Sequence, residues 1–266
     1  MYAVGIRHHV IAPNASAEHT VAALIVNHCA LDARGLSIPR AEPHVVARFG
    51  PKAMNGLDLH VMGARHRAHR KKLHRGQRVV MARLRLGTHQ AVFGVPPSAL
   101  AERIVPLEDL WGSAARRLAE QLAETKDVRL AATVLEAAIE QRLANVEANE
   151  AHTQLAVEAT ARLTALRVDE VADALGVSAR NLRRVFRDVV GMSPKEYARL
   201  ARFHLALQEA RTSHDVDWAG VAAATGYYDQ AHMIAEFHAI AGVTPRALMS
   251  ELRAGLTIGS SDAWVE

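Results

Sequence analysis

The chain has 266 residues, half of them apolar and 23% charged, with a formal net charge of +4; this is the mixture of a globular protein with room for two ordinary domains. No apolar run approaches the roughly 20 residues of a membrane helix. The N-terminus does not show a basic flank, apolar core and cleavage site in succession. The one cysteine, Cys29, cannot close an internal disulfide. A membrane bundle and a disulfide-framed secreted domain are thereby excluded, and a cytoplasmic location is expected.

Charge is unevenly spread, which says more than its total. Residues 1–112 carry a net +8 and 166–211 a net +3, while 113–165 carry −2 and 212–253 carry −3. In chain order, residues 1–111 read as a β-rich domain. LDLHVMGA and RVVMARLRL alternate or run in β-branched residues between glycines. Between them, Arg65 to Arg78 holds seven of the fifteen basic residues of this domain. Such a run cannot be buried unpaired, so it is expected as a solvated hairpin or loop. An anion-binding site and an accessory DNA contact rank behind that reading.

Near Trp111 the composition turns to alanine, leucine, glutamate and arginine, with no proline until Pro194. SAARRLAEQLAE, VRLAATVLEAAIEQRLA and HTQLAVEATARLTAL predict three helices, the first two and all but the last residue of the third falling in a connector over residues 112–165. Residues 166–253 follow as an all-α domain and 254–266 as a tail.

That all-α domain contains a repeat. Gly176 opens GVSARNLRRVFRDVVGMSP and Gly226 opens GYYDQAHMIAEFHAIAGVTP; Ser178 and Asp229, Leu182 and Met233, Phe186 and Phe237, Gly191 and Gly242, and Pro194 and Pro245 are each 51 residues apart. Val168, Val171, Ala172 and Leu175 share one helical face before the first glycine. A glycine there suits the left-handed backbone that ends a helix. Ser178 and Asp229 are natural N-caps for the next helices, and Asp217 for the helix WAGVAAATG. Leu182, Val185, Phe186 and Val189 turn inward, leaving Arg180, Arg183, Arg184 and Arg187 outside. Ser193-Pro194 and Thr244-Pro245 each place a cap before a proline at the first helical position. A short helix, a glycine turn and a helix with a polar outer face make a helix-turn-helix.

The segment from Val168 to Leu252 resembles the DNA-binding domain of the AraC/XylS family of bacterial regulators, GYYDQAH and EFHAIAGVTP being close to its most recognisable stretch. RIVPLEDLWG and the helices after it are similar to the sensor half of one branch of that family, whose sheet is a degenerate cupin-like sandwich. The fold class expected is therefore α+β: a β-rich, cupin-like sandwich, a helical connector and a domain of two helix-turn-helix motifs joined by a long helix. The resemblance implies double-stranded promoter or operator DNA as partner, with each second helix in the major groove. It assigns Ser178, Arg180, Arg183 and Arg184 to the first interface, and Tyr228, Gln230 and His232 to the second, Asp229 serving as cap. It also implies a small-molecule effector, unidentified, for the N-terminal domain, and family analogy favours a homodimer.

One departure stands out. Family members usually carry a basic residue where this chain has Ala235, and often another at His238, so the second motif is expected to grip phosphate weakly. No catalytic set, cofactor or metal is expected. His60, His66, His69, His74 and His89 lack the spacing of a metal-binding cupin motif, and Cys29 reads as a small buried apolar residue. Two rivals are kept: a metal-dependent cupin-like enzyme with a helical accessory domain, and an adaptor that has lost its grip on DNA.

Overall fold

The computed structural model describes residues 6–50, 53, 56–143, 150–212, 215–254 and 257–258. Its first half is β-rich and its second half helical, the α+β class expected. Strands β1 (Ile6–Ile11), β2 (Val21–Cys29), β4 (His44–Phe49), β5 (Leu57–Met62), β7 (Arg78–Leu84) and β8 (Ile104–Pro106) form a sheet of order β1-β2-β7-β4-β5-β8. All its pairings are antiparallel, with Val80 of β7 opposite both Val26 and Ala47. Strands β3 (Ala33–Ser37) and β6 (His69–Leu73) pair antiparallel in a second sheet, and β9 (Thr257–Ile258) joins β3 in parallel.

Side chains alternate across a strand, and here both faces of the larger sheet are used. Ala23, Ile25, Val46, Met62, Val79 and Met81 turn toward the smaller sheet, where they meet Leu73 of β6. Leu24, Val26, Val45, Ala47, Val80 and Ala82 turn the other way, onto helices. That double burial is why β2 and β7 read as nearly continuous apolar runs. The covering helices include α1 (His89–Phe93), α3 (Leu107–Trp111), α4 (Ser113–Ala123) and α5 (Val128–Leu143), which contribute Phe93, Trp111, Leu118, Leu122, Leu135 and Ile139. Trp111 Nε1 donates to the Val92 carbonyl at 3.0 Å, satisfying its buried N–H.

The rest of the described chain is α2 (Pro97–Leu100), α6 (Glu150–Arg162), α7 (Val168–Ala174), α8 (Ala179–Val190), α9 (Pro194–Arg211), α10 (Trp218–Ala224), α11 (Gln230–Ala241) and α12 (Pro245–Arg253). The core of α6–α12 is not closed on itself: Leu36, Ile38, Ala41 and Ala64 of the β-rich half belong to it. Three polar contacts accompany that apolar seam. Ala68 N–H donates to the Ile240 carbonyl at 2.8 Å, Arg70 holds Glu251 at 2.7 Å, and His204 Nε2 lies 2.8 Å from the Pro39 carbonyl. Burial pushes the His204 imidazole down to about 3, so it is neutral and its Nε2–H donates.

The basic stretch departs from its expected form. Its middle is strand β6 rather than a solvated loop, because β3 supplies an antiparallel partner from Ala33 to Ser37. Arg65 is only 7% exposed, and its Nε and Nη1 are buried without a hydrogen-bond acceptor, although burial of an unpaired charge is costly. On β6, Arg70 and Lys72 stay outside, whereas Lys71 is half-buried and Leu73 buried.

Candidate nucleic-acid interface

The first motif starts at Arg167, whose N–H donates to Glu170 Oε2 at 2.7 Å. Asp169 and Glu170 in the first turn of α7 complement the helix dipole. Val171 and Ala172 are buried, with Val168 and Leu175 packed beside them, the face read from the spacing. Gly176 then turns the chain at φ +66°, a conformation that costs other residues about 1–2 kcal/mol. Ser178 Oγ accepts the Asn181 N–H at 3.2 Å and caps α8.

Leu182, Val185 and Phe186 have no exposed surface, and Arg180, Arg183, Arg184 and Arg187 are all exposed. Arg183 Nη2 sits 3.0 Å from Asp169 Oδ1. Arg184 donates to Asn181 Oδ1 at 2.9 Å and lies 3.4 Å from Asp188. Arg180 and Arg187 make no ion pair among the described residues. With Asp188 the four arginines line a shallow open groove. Exposed pairs of this kind are worth about 0–1 kcal/mol, so they hold Arg183 and Arg184 only weakly.

The long helix α9 begins with a reciprocal cap: Ser193 N–H donates to Glu196 Oε2 at 2.8 Å and Glu196 N–H to Ser193 Oγ at 3.2 Å. It then grips both motifs. Tyr197 meets Phe186 of α8 edge-on at 5.4 Å, and Phe203 meets Phe237 of α11 at 4.7 Å. Arg199 holds Glu236 of α11 through two bonds of 2.8 and 3.0 Å.

In the second motif Asp217 Oδ1 accepts the Ala219 N–H at 3.1 Å, and Asp229 Oδ1 accepts the His232 N–H at 2.7 Å. The cap role of Asp229 is thus seen directly. Tyr228 is 92% exposed, and Gln230 and His232 are exposed beside it at the start of α11. Buried Tyr227, which the sequence gave no reason to single out, stands edge-on to the His232 ring at 5.6 Å and limits its freedom. Ala235 and His238 are exposed on the same helix, so nothing basic replaces what Ala235 lacks.

The rear ends of α8 and α11 rest on the β-rich half. A Cβ on Gly191, at the end of α8, would stand 3.0 Å from Pro97 Cβ. The Ile240 carbonyl, near the end of α11, is the one held by Ala68. The front ends, carrying Ser178 and Asp229, lie at the opposite ends of the two helices.

Residues 171–251 match the family described as helix-turn-helix domain. This segment is an AraC-type helix-turn-helix domain. A helix-turn-helix domain binds DNA through its second helix in the major groove, and its presence points to a transcription regulator rather than an enzyme.

The chain is also similar to a crystal structure of a Chromobacterium violaceum transcriptional regulator with an AraC-type DNA-binding domain, at 24% identity over 39% of this chain and 96% of that one, TM-score 0.35. A DNA-binding transcriptional dual regulator from Escherichia coli K-12 aligns at 21% identity over 39% of this chain and 90% of its own, TM-score 0.32. Unsaturated fatty acid-bound ToxT from Vibrio cholerae aligns at 9% identity over 94% of this chain and 96% of its own, TM-score 0.43. No curated protein matches the chain.

Outside the helix-turn-helix domain, the histidines are dispersed. His66 pairs with Glu102 at 2.8 Å, and His89 Nδ1 lies 3.0 Å from the Val95 carbonyl. Among the described residues no three His, Cys, Asp or Glu side chains are grouped to hold a metal ion. Among the described residues no helix is long and apolar enough to cross a membrane.

Proposed function

We propose that the chain regulates transcription by placing α8 and α11 in successive major-groove turns of an operator, under the control of a small-molecule effector bound by its β-rich half. Arg180, Arg183 and Arg184 read the first subsite, where an arginine bonded to both acceptors of guanine discriminates by about 1–3 kcal/mol. Ser178 lies at the helix end nearest the phosphates. Tyr228, Gln230 and His232 face the second subsite, Gln230 suited to adenine and the others to shape. The observation that carries this reading is the exposed arginine row on the second helix of a motif within the matched domain.

Fluorescence-anisotropy titration of DNA from immediately upstream of the coding region tests it, as a salt series on wild type and on an Arg183→Ala, Arg184→Ala double variant. The expected result is preference over random DNA, a steep salt dependence, and loss of that preference in the variant. Preference that survives in the variant would move the reading to α11. If neither this DNA nor genomic fragments selected on the protein are preferred, the proposal falls.

A further inference from the structure

Between its sheets and α4 the β-rich half carries a cavity of about 910 Å³, open on one side, a size in the range of small-molecule sites. One wall is apolar, with Ile6, Val46, Met62, Leu73, Val79 and Met81. The ammonium of Lys71 enters from β6, and its hydrogen-bonding partner is the thioether of Met62 at 3.5 Å, a weak acceptor. It makes no ion pair among the described residues. Burial, and after it the repulsive charges of Arg65 and Arg48, push it down to about 8.

The other charges around the cavity have partners or face water. Arg48 is paired with Asp58, and Arg116 lies 2.6 Å from Glu108; Glu120 and Lys72 are exposed. His60 is pushed down to about 4 by burial and by Lys71 and Arg48, so it is neutral. One uncompensated cation beside an apolar wall is an arrangement that costs stability when empty. It is complementary to one anionic head group on an apolar body.

We propose that this cavity binds an amphiphilic monocarboxylate, its head group on Lys71 and its apolar body along Val46, Met62, Val79 and Met81. This deepens the sensor reading above and rests on it. A cation is repelled by Lys71, and a polyol would leave the apolar wall uncovered. The strand that carries Lys71 carries Arg70 on its outer side, paired with Glu251 of α12. The bound head group thus lies one residue from a contact between the two halves, on the strand just after the Ala68 bond to α11.

The test is calorimetric titration of the full chain, without DNA, with decanoate, decan-1-ol and decylamine below their micellar concentrations. Decanoate is expected to bind one per chain and at least tenfold more tightly than decan-1-ol, with decylamine weakest. Lys71→Arg should keep that order and Lys71→Met should abolish it. Unliganded Lys71→Met should also melt at a higher temperature than wild type, which a merely structural lysine would not allow. Equal binding of decanoate and decan-1-ol, or an unchanged preference in Lys71→Met, overturns the head-group assignment and leaves the sensor reading standing. Binding of none of the three overturns the amphiphile assignment of this cavity and leaves the sensor reading standing. If Lys71→Met does not fold, the head-group series on wild type decides alone.

Discussion

Helices α8 and α11 each run for twelve residues between a side-chain cap and a left-handed glycine, and each sets a fully buried phenylalanine, Phe186 or Phe237, against α9. Their outer faces share almost nothing. The first carries four exposed arginines; the second offers Gln230, His232, Ala235 and His238, with Tyr228 just before it. The inner plan is what makes each segment a helix-turn-helix, and it is fixed by packing. The outer face is free of that constraint, so one plan can supply an electrostatic anchor on one side and shape recognition on the other.

If the inner plan is shared, Phe186→Ala and Phe237→Ala should destabilise alike, each by about 3–5 kcal/mol in urea unfolding. A cost under about 1 kcal/mol at Phe237 would show that the second motif is not held by its core. The outer faces should separate next. Replacing Arg180, Arg183 and Arg184 together by alanine should weaken operator binding about a hundredfold, roughly 3 kcal/mol, and flatten the salt slope. The matching triple change at Tyr228, Gln230 and His232 should cost about tenfold and leave the slope alone, because no phosphate charge is lost. Equal slopes in both triple variants would erase the distinction.

Smaller effects sharpen it. Gly191→Ala and Gly242→Ala should each cost about 1–2 kcal/mol for a side chain at positive φ. The first should cost more, since its Cβ would press on Pro97 while the space around Gly242 is open. Equal melting points would mean that the α8 end is not held by the β-rich half. Smallest is Ala235→Lys, which should steepen the salt slope of operator binding by about 0.9, one added phosphate contact. An unchanged slope would place Ala235 away from the DNA.

What was legible in the sequence was what is decided locally. Caps at Ser178, Ser193, Asp217, Asp229 and Thr244 act within three residues, so their type and position suffice to read them. The inward faces of α7 and α8 follow from helical spacing for the same reason. The contacts of Leu36, Ile38 and Ala41 with the helical core were not legible, because each joins segments more than a hundred residues apart. Strand β6 was hidden differently: its composition is that of a solvated loop, and only the partner strand β3 makes it extended. The position of Lys71 inside the sandwich was lost with it, since a basic run shows no alternation until a strand imposes one. The Arg183 pair with Asp169, which joins α8 to α7, was likewise invisible.

On the function proposed above, the anchoring of α8 and α11 by their rear ends has a genetic consequence. Two heads held to one body keep a fixed angle, so a binding site can drift by base substitution at one subsite without disturbing the other. Insertion of a single base pair between the subsites is different in kind: with about 10–10.5 base pairs per turn, it swings one subsite about 34° around the duplex. Sites recognised by this chain should therefore tolerate spelling changes over evolutionary time while keeping their internal spacing, and comparison of its operators should show indels at their edges and none between the subsites.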